Sequence, residues 1–206
     1  MGAMLTELHV SVLFPLSAFG LTIRALNPKH GARAHSQGVR DEIVAGSILV
    51  DERGRERTNL GERINAIFDL PARTIYLARM EKGVVYHELG RAVQYMLGYN
   101  GTPGKMRVSE SFLTAYERGE AVSPYAQRSP TSAFAQAFAT YFGACRDTFG
   151  GDVTDRRHGW AVLEEFAPKT GLHLHETAIM LDGAYHIAMK QHLVTEKKLR
   201  PTLGIR

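Results

Sequence analysis

The chain is poor in cysteine, in long apolar runs and in charge of one sign, and each shortage removes a class of protein. Its single cysteine, Cys145, leaves no partner for an internal disulfide, so the fold cannot lean on an oxidising compartment. Cys145 falls in an apolar stretch that reads as helical, where a buried structural thiol is expected. No apolar run is long enough for a membrane span. Leu13-Phe14-Pro15-Leu16 lacks a basic stretch ahead of a continuous apolar block, so no signal peptide is read and a soluble chain is expected. The 25 basic and 21 acidic residues give a net charge of only +4. Basic residues gather only at Arg53-Gly54-Arg55-Glu56-Arg57 and Lys197-Lys198-Leu199-Arg200, which is thin for a nucleic-acid footprint. Several catalytic signatures are also missing, including the Gly-x-Ser-x-Gly elbow, a phosphate-binding glycine loop and Cys-x-x-Cys.

What is present suffices for a core. With 44% apolar residues in 206, the chain reads as one domain spanning 1–206. Loose alternation over residues 8 to 26 predicts one or two short strands. Residues 27 to 40 read as an exposed loop, and a strand or helical turn after it leads to a hairpin turn at Asp51-Glu52-Arg53-Gly54-Arg55. Residues 60 to 69 suit strand or helix, and Thr74-Ile75-Tyr76-Leu77-Ala78 a short strand. From there the character is helical. One helix begins near Ser109, and another opens at Ser129-Pro130, a capping serine followed by proline at the first helical position. Two more are expected near residues 158 to 168 and 176 to 195. A sheet-rich part (5–80) followed by a helical part (81–198) is an α+β order.

Between the two parts lies Val84-Val85-Tyr86-His87-Glu88-Leu89-Gly90-Arg91-Ala92-Val93, an amphipathic helix. It carries the pattern His-Glu-x-x-His with its last residue replaced. In that pattern two imidazoles one turn apart hold zinc, and the glutamate activates the metal-bound water. Arg91 has no lone pair to offer a metal and stays protonated.

A second segment, Ser123-Pro124-Tyr125 through Phe134-Ala135-Gln136-Ala137-Phe138, follows at believable spacing, and Phe166-Ala167-Pro168-Lys169-Thr170 comes later. Together, over roughly residues 70 to 170, these resemble the anthrax lethal factor-type zinc peptidases. The resemblance implies a zincin-like fold and assigns roles by position. His87 matches the first zinc ligand, Glu88 the general base, and Tyr125 the tyrosine that stabilises a developing oxyanion. Arg91 stands at the second ligand, Ser132 at the glutamate ligand, and Gln136 at an acidic residue one turn later.

The expected consequence is a dismantled site. A lone imidazole holds zinc poorly, so no cofactor is expected. Arg91 would stand in for the lost cation by pairing with Glu88. The implied function is that of a pseudopeptidase whose former cleft, lined by His87, Arg91, Ser132 and Gln136, binds a protein or peptide partner, in the manner of a toxin or secreted effector. An extended partner would pair with an exposed edge strand, read here as Thr74 to Ala78. Two other readings stand beside it. One is an active zinc peptidase in which His173 or His175 completes the shell with His87, and the other is a structural or nucleic-acid-associated module. Leu89, Ala92, Val93 and Met96 form the core stripe of the helix and receive no chemical role.

Overall fold

The computed structural model describes residues 8, 10–25, 66–69, 72–77, 81–98 and 110–202, with only the backbone described for 25, 67, 98, 110, 111 and 191–202. The loop expected over 27–40 and the hairpin turn at 51–55 lie outside the described residues.

The first element corrects the sequence reading. Residues Val10–Ala18 form a helix, α1, and a strand begins only at Thr22. Leu8, Val12 and Leu16 are buried, whereas Val10 is exposed. A spacing of four satisfies both a two-residue and a helical period, so the apparent alternation is ambiguous, and the exposure of Val10 separates the two. The Leu21 N–H bonds back to the Leu16 carbonyl and closes the helix end.

Three short strands follow: β1 (Thr22–Ala25), β2 (Ala66–Asp69) and β3 (Thr74–Leu77). β3 lies in the middle, parallel to β1 with Ile23 opposite Ile75, and antiparallel to β2 with Phe68 opposite Ile75. The mixed sheet is as expected, but β3 is not the edge that an extended partner would need. All four of its residues are buried. Thr-Ile-Tyr-Leu is a nearly continuous apolar run without alternation, which is what a strand covered on both faces requires. Among the described strands, β2 and β1 are the edges.

Helix α2 (Lys82–Gly98) packs along the sheet and against α4 (Pro130–Tyr141). Contact with α4 is close because position 90 is glycine. A Cβ there would lie 2.9 Å from the Phe138 Cβ and 3.1 Å from the Ala135 Cα. The Ser129 hydroxyl accepts the Ser132 N–H and Pro130 takes the first turn, so α4 starts as its sequence predicts. Between them come α3 (Glu110–Glu117), near its expected place, and a single 3-10 turn at Ala126–Arg128.

After α4 the chain makes a hairpin of β4 (Cys145–Thr148) and β5 (Gly151–Val153). Cys145 is therefore on a strand and not on a helix, although it is buried as expected. Its thiol donates to the Gln136 Oε1, and burial pushes its pKa up to about 11. The Gly150-Gly151 pair, with Gly151 at φ 87°, is the local signal for this turn.

Two helices end the described chain, α5 (Arg156–Phe166) and α6 (Pro168–Thr202). Asp155 caps α5 through the His158 N–H. Glu120, from the turn after α3, accepts the N–H groups of Lys169 and Thr170 and so caps α6 across the fold. One cluster of buried apolar side chains runs from Leu8 and Val12 through β3, α2 and α4 to Leu174 and Leu181. The chain is thus α+β, with a small mixed sheet preceding a mainly helical part. Among the described residues no helix is long and apolar enough to cross a membrane.

Among the described glycines, Gly159 of α5 makes the closest approach. A Cβ there would run into the Thr140 backbone carbonyl of α4, which cannot rotate away. Ala favours a helix over Gly by about 1 kcal/mol, but overpacking against backbone costs about 1–3 kcal/mol. Gly159→Ala should therefore lower stability, read as a reduced urea midpoint.

Candidate functional site

Helix α2 is enclosed on most of its circumference, and its polar residues are enclosed with it. His87, Glu88 and Gln94 are 9%, 5% and 2% exposed. His87, Arg91 and Gln94 are spaced four and three residues apart, so they share one face, with Glu88 on its flank. Among the described residues, His87 Nδ1, Glu88 Oε2 and both amide atoms of Gln94 have no hydrogen-bond partner. Buried polar atoms without partners are costly, so such a row is uncommon in a helix kept only for packing.

The Glu88 carboxylate has two favourable neighbours. Arg91 Nη1 lies 4.0 Å from Oε2, the ion pair expected from their spacing. The backbone N–H of Phe68 on β2 donates to the same carboxylate. Burial outweighs both contributions and raises the pKa of Glu88 above its ordinary value. For His87, burial and then the Arg91 charge act in one direction and lower its pKa to about 3, so the imidazole is neutral throughout the physiological range.

Tyr125 comes to the site from the loop before α4. Its ring stands edge-on to the His87 ring at 5.7 Å between centroids. The two motif segments therefore meet in space. Arg128 stacks on Tyr125 at 5.0 Å, and the Ser123 hydroxyl holds the loop by accepting the Ala126 N–H. A further tie runs from the Phe149 N–H, at the tip of the β4–β5 hairpin, to the Val122 carbonyl.

Ser132 and Gln136 are turned to structural work. Ser132 Oγ accepts from the Ser129 hydroxyl at 3.0 Å, inside the helix cap. Gln136 Oε1 accepts from the Cys145 thiol. The two distant histidines are also engaged elsewhere. The His173 ring packs against Phe112 and Phe134, and His175 Nδ1 lies 3.1 Å from the Tyr141 hydroxyl. Among the described residues no three His, Cys, Asp or Glu side chains come together as a metal site would need.

Among the described residues the side chains around His87 do not make up a zinc-ligand set. His87 and Glu88 are adjacent, but the next polar group on the same face is a cation, and the Ser132 hydroxyl is held within the cap. What the arrangement can do is present a neutral imidazole, a phenol and a guanidinium beside a buried carboxylate. Motif reading missed Gln94, Phe68 and Arg128. Gln94 lies seven residues after His87, a face-sharing interval that could have flagged it. The Phe68 contact depends on how β2 meets α2 and has no local signal.

No protein-family model matches the sequence, and no curated protein matches it.

The titration of His87 gives a test of this enclosure. In the unfolded chain its pKa returns to the ordinary 6.5, whereas in the folded chain it is about 3. Between those values the unfolded state binds the extra proton, so stability attributable to His87 is complete above pH 6.5 and falls as the pH drops. The slope is at most about 1.4 kcal/mol per pH unit. Glu88, with its raised folded pKa, acts in the opposite sense in a window that starts at 4.5. His87→Gln should therefore make stability at pH 4.5 relative to pH 6.5 greater than it is in the wild type, measured by urea midpoints at intervals across that range.

Proposed function

We propose that this chain is a zincin-type pseudopeptidase, whose former cleft holds an extended segment of a protein or peptide partner without cutting it. The observation that carries the reading is the Glu88–Arg91 pair. Where the lethal factor-type pattern has a second metal ligand, this chain has a guanidinium facing the carboxylate that would have activated water. Replacing a buried divalent ion by a half-buried guanidinium keeps Glu88 compensated, and an uncompensated carboxylate there would cost several kcal/mol. The cap bond of Ser132 supports the same reading, because the position of the third ligand has been put to helix capping.

An extended partner would lie along β2, the edge strand on the α2 side. The Phe68 N–H turns away from β3 to reach Glu88, and the two-residue alternation of a strand would turn the Ala66 N–H to the same open side. Glu88 takes the Phe68 N–H, so the Ala66 N–H is the donor that would serve a partner.

Zinc uptake tests the degenerate site. Metal-stripped wild-type protein, titrated calorimetrically, should take up no zinc in the micromolar range, whereas Arg91→His combined with Ser132→Glu should gain one site per chain. Tight stoichiometric zinc in the wild type would overturn the non-catalytic reading. No gain in the double variant would count against matching these positions to the family's ligands. For the partner, peptides selected from a random display library on the wild type should bind Ala66→Pro at least about tenfold more weakly, since loss of one edge hydrogen bond costs about 1–1.5 kcal/mol and the proline ring obstructs pairing. Equal binding to both proteins would remove β2 as the docking edge.

A further inference from the structure

Helix α6 has two faces of different character. One carries Thr170, Leu174, Thr177 and Leu181, all buried, toward α1, α3, α4 and α5, and Tyr185 meets Phe14 of α1 at 5.5 Å on the same side. The opposite face carries Leu172, Ile179, Met180 and Ile187, which are 56%, 60%, 51% and 61% exposed. At the helical repeat these four fall in one stripe about 100° wide, extending along about 22 Å of helix. Scattered exposed apolar residues need no explanation, but four aligned on one helix form a patch that does.

The stripe also contains Glu176, Gly183 and Lys190, and their order is informative. Gly183 lies at its centre, with nothing within 4 Å of where a Cβ would be. Glu176 and Lys190 are each seven residues from Gly183, in opposite directions, and both are exposed. Ile179 and Ile187 are each four residues from it. Reversing the direction of the helix about Gly183 therefore places an acid on a base, a base on an acid and isoleucine on isoleucine. A parallel pairing in register would instead set Glu176 against Glu176 and Lys190 against Lys190.

We propose that this face is the contact between two copies of the chain, packed antiparallel about a two-fold axis through Gly183. Self-complementarity under reversal is what an isologous interface demands, and a different partner protein would impose no such symmetry. The missing side chain at Gly183 lets the two helix axes approach closely at the crossing. The apolar residues on either side supply the burial, and two Glu176–Lys190 pairs set the direction and register. An interface of about four turns is at the small end of those that hold proteins together, so association in roughly the micromolar range is expected. This surface is separate from the His87 cleft and does not depend on the reading given to it.

Sedimentation equilibrium of the full chain over a range of concentrations, with far-UV circular dichroism as the check on folding, tests the proposal. Wild-type protein should dimerise, and Ile179→Lys, at a site exposed in the single chain, should be monomeric. Glu176→Lys or Lys190→Glu alone should weaken dimerisation by about tenfold or more, because each sets like charges opposite one another twice. Mixing the two single variants should restore the dimer, as should combining both changes in one chain, since opposite charges then face each other again. A wild-type chain that stays monomeric at every concentration would overturn the proposal, including the case in which another part of the chain covers the stripe. So would a dimer indifferent to Ile179→Lys, or two single variants that do not recover on mixing.

Discussion

Helix α2 lies inside the molecule, and the polar groups it carries must find their compensation there. Gly90 brings it against α4, the sheet covers another side, and the Tyr125 loop closes over His87. In that setting a carboxylate cannot be left to water. Glu88 is held by the Arg91 guanidinium and by the Phe68 backbone N–H, and even so burial keeps its proton affinity high. The arrangement joins two parts of the fold at one atom group: helix α2, which carries both Glu88 and Arg91, and the edge strand β2 beside it. Changes that leave Glu88 uncompensated act on folding.

Much of the fold was legible where the signal was local. Ser129-Pro130 announces α4 because both the cap and the proline act within one turn. The ion pair between Glu88 and Arg91 follows from their spacing alone. The order of fold parts, sheet then helices, was also readable from where the apolar pattern changes period. The errors have physical causes. In α1, positions 8, 12 and 16 satisfy two periods at once. In β3, the unbroken apolar run is the mark of a central strand and not of the expected edge. At Cys145, an apolar helix was extended through a short hairpin whose Gly150-Gly151 turn was the overlooked sign.

The candidate site was legible in part for the same reason. His87 and Tyr125 meet although they are 38 positions apart in the sequence, a contact that no periodicity in either segment encodes. The Phe68 contact to Glu88 is a product of tertiary packing, invisible to spacing rules. Gln94 was passed over because a lone amide has no chemistry that attracts notice in a sequence. Its importance comes from burial, and burial of a polar group on an otherwise apolar helix is a property of the whole fold.

The hydrogen bond from the Phe149 N–H to the Val122 carbonyl fastens the tip of the β4–β5 hairpin to the start of the loop that delivers Tyr125. Hairpin tips are ordinarily where related chains differ in length, because inserted residues there project into solvent. Here an insertion would pull on the tyrosine loop, so the hairpin is constrained in length by a residue more than twenty positions before it.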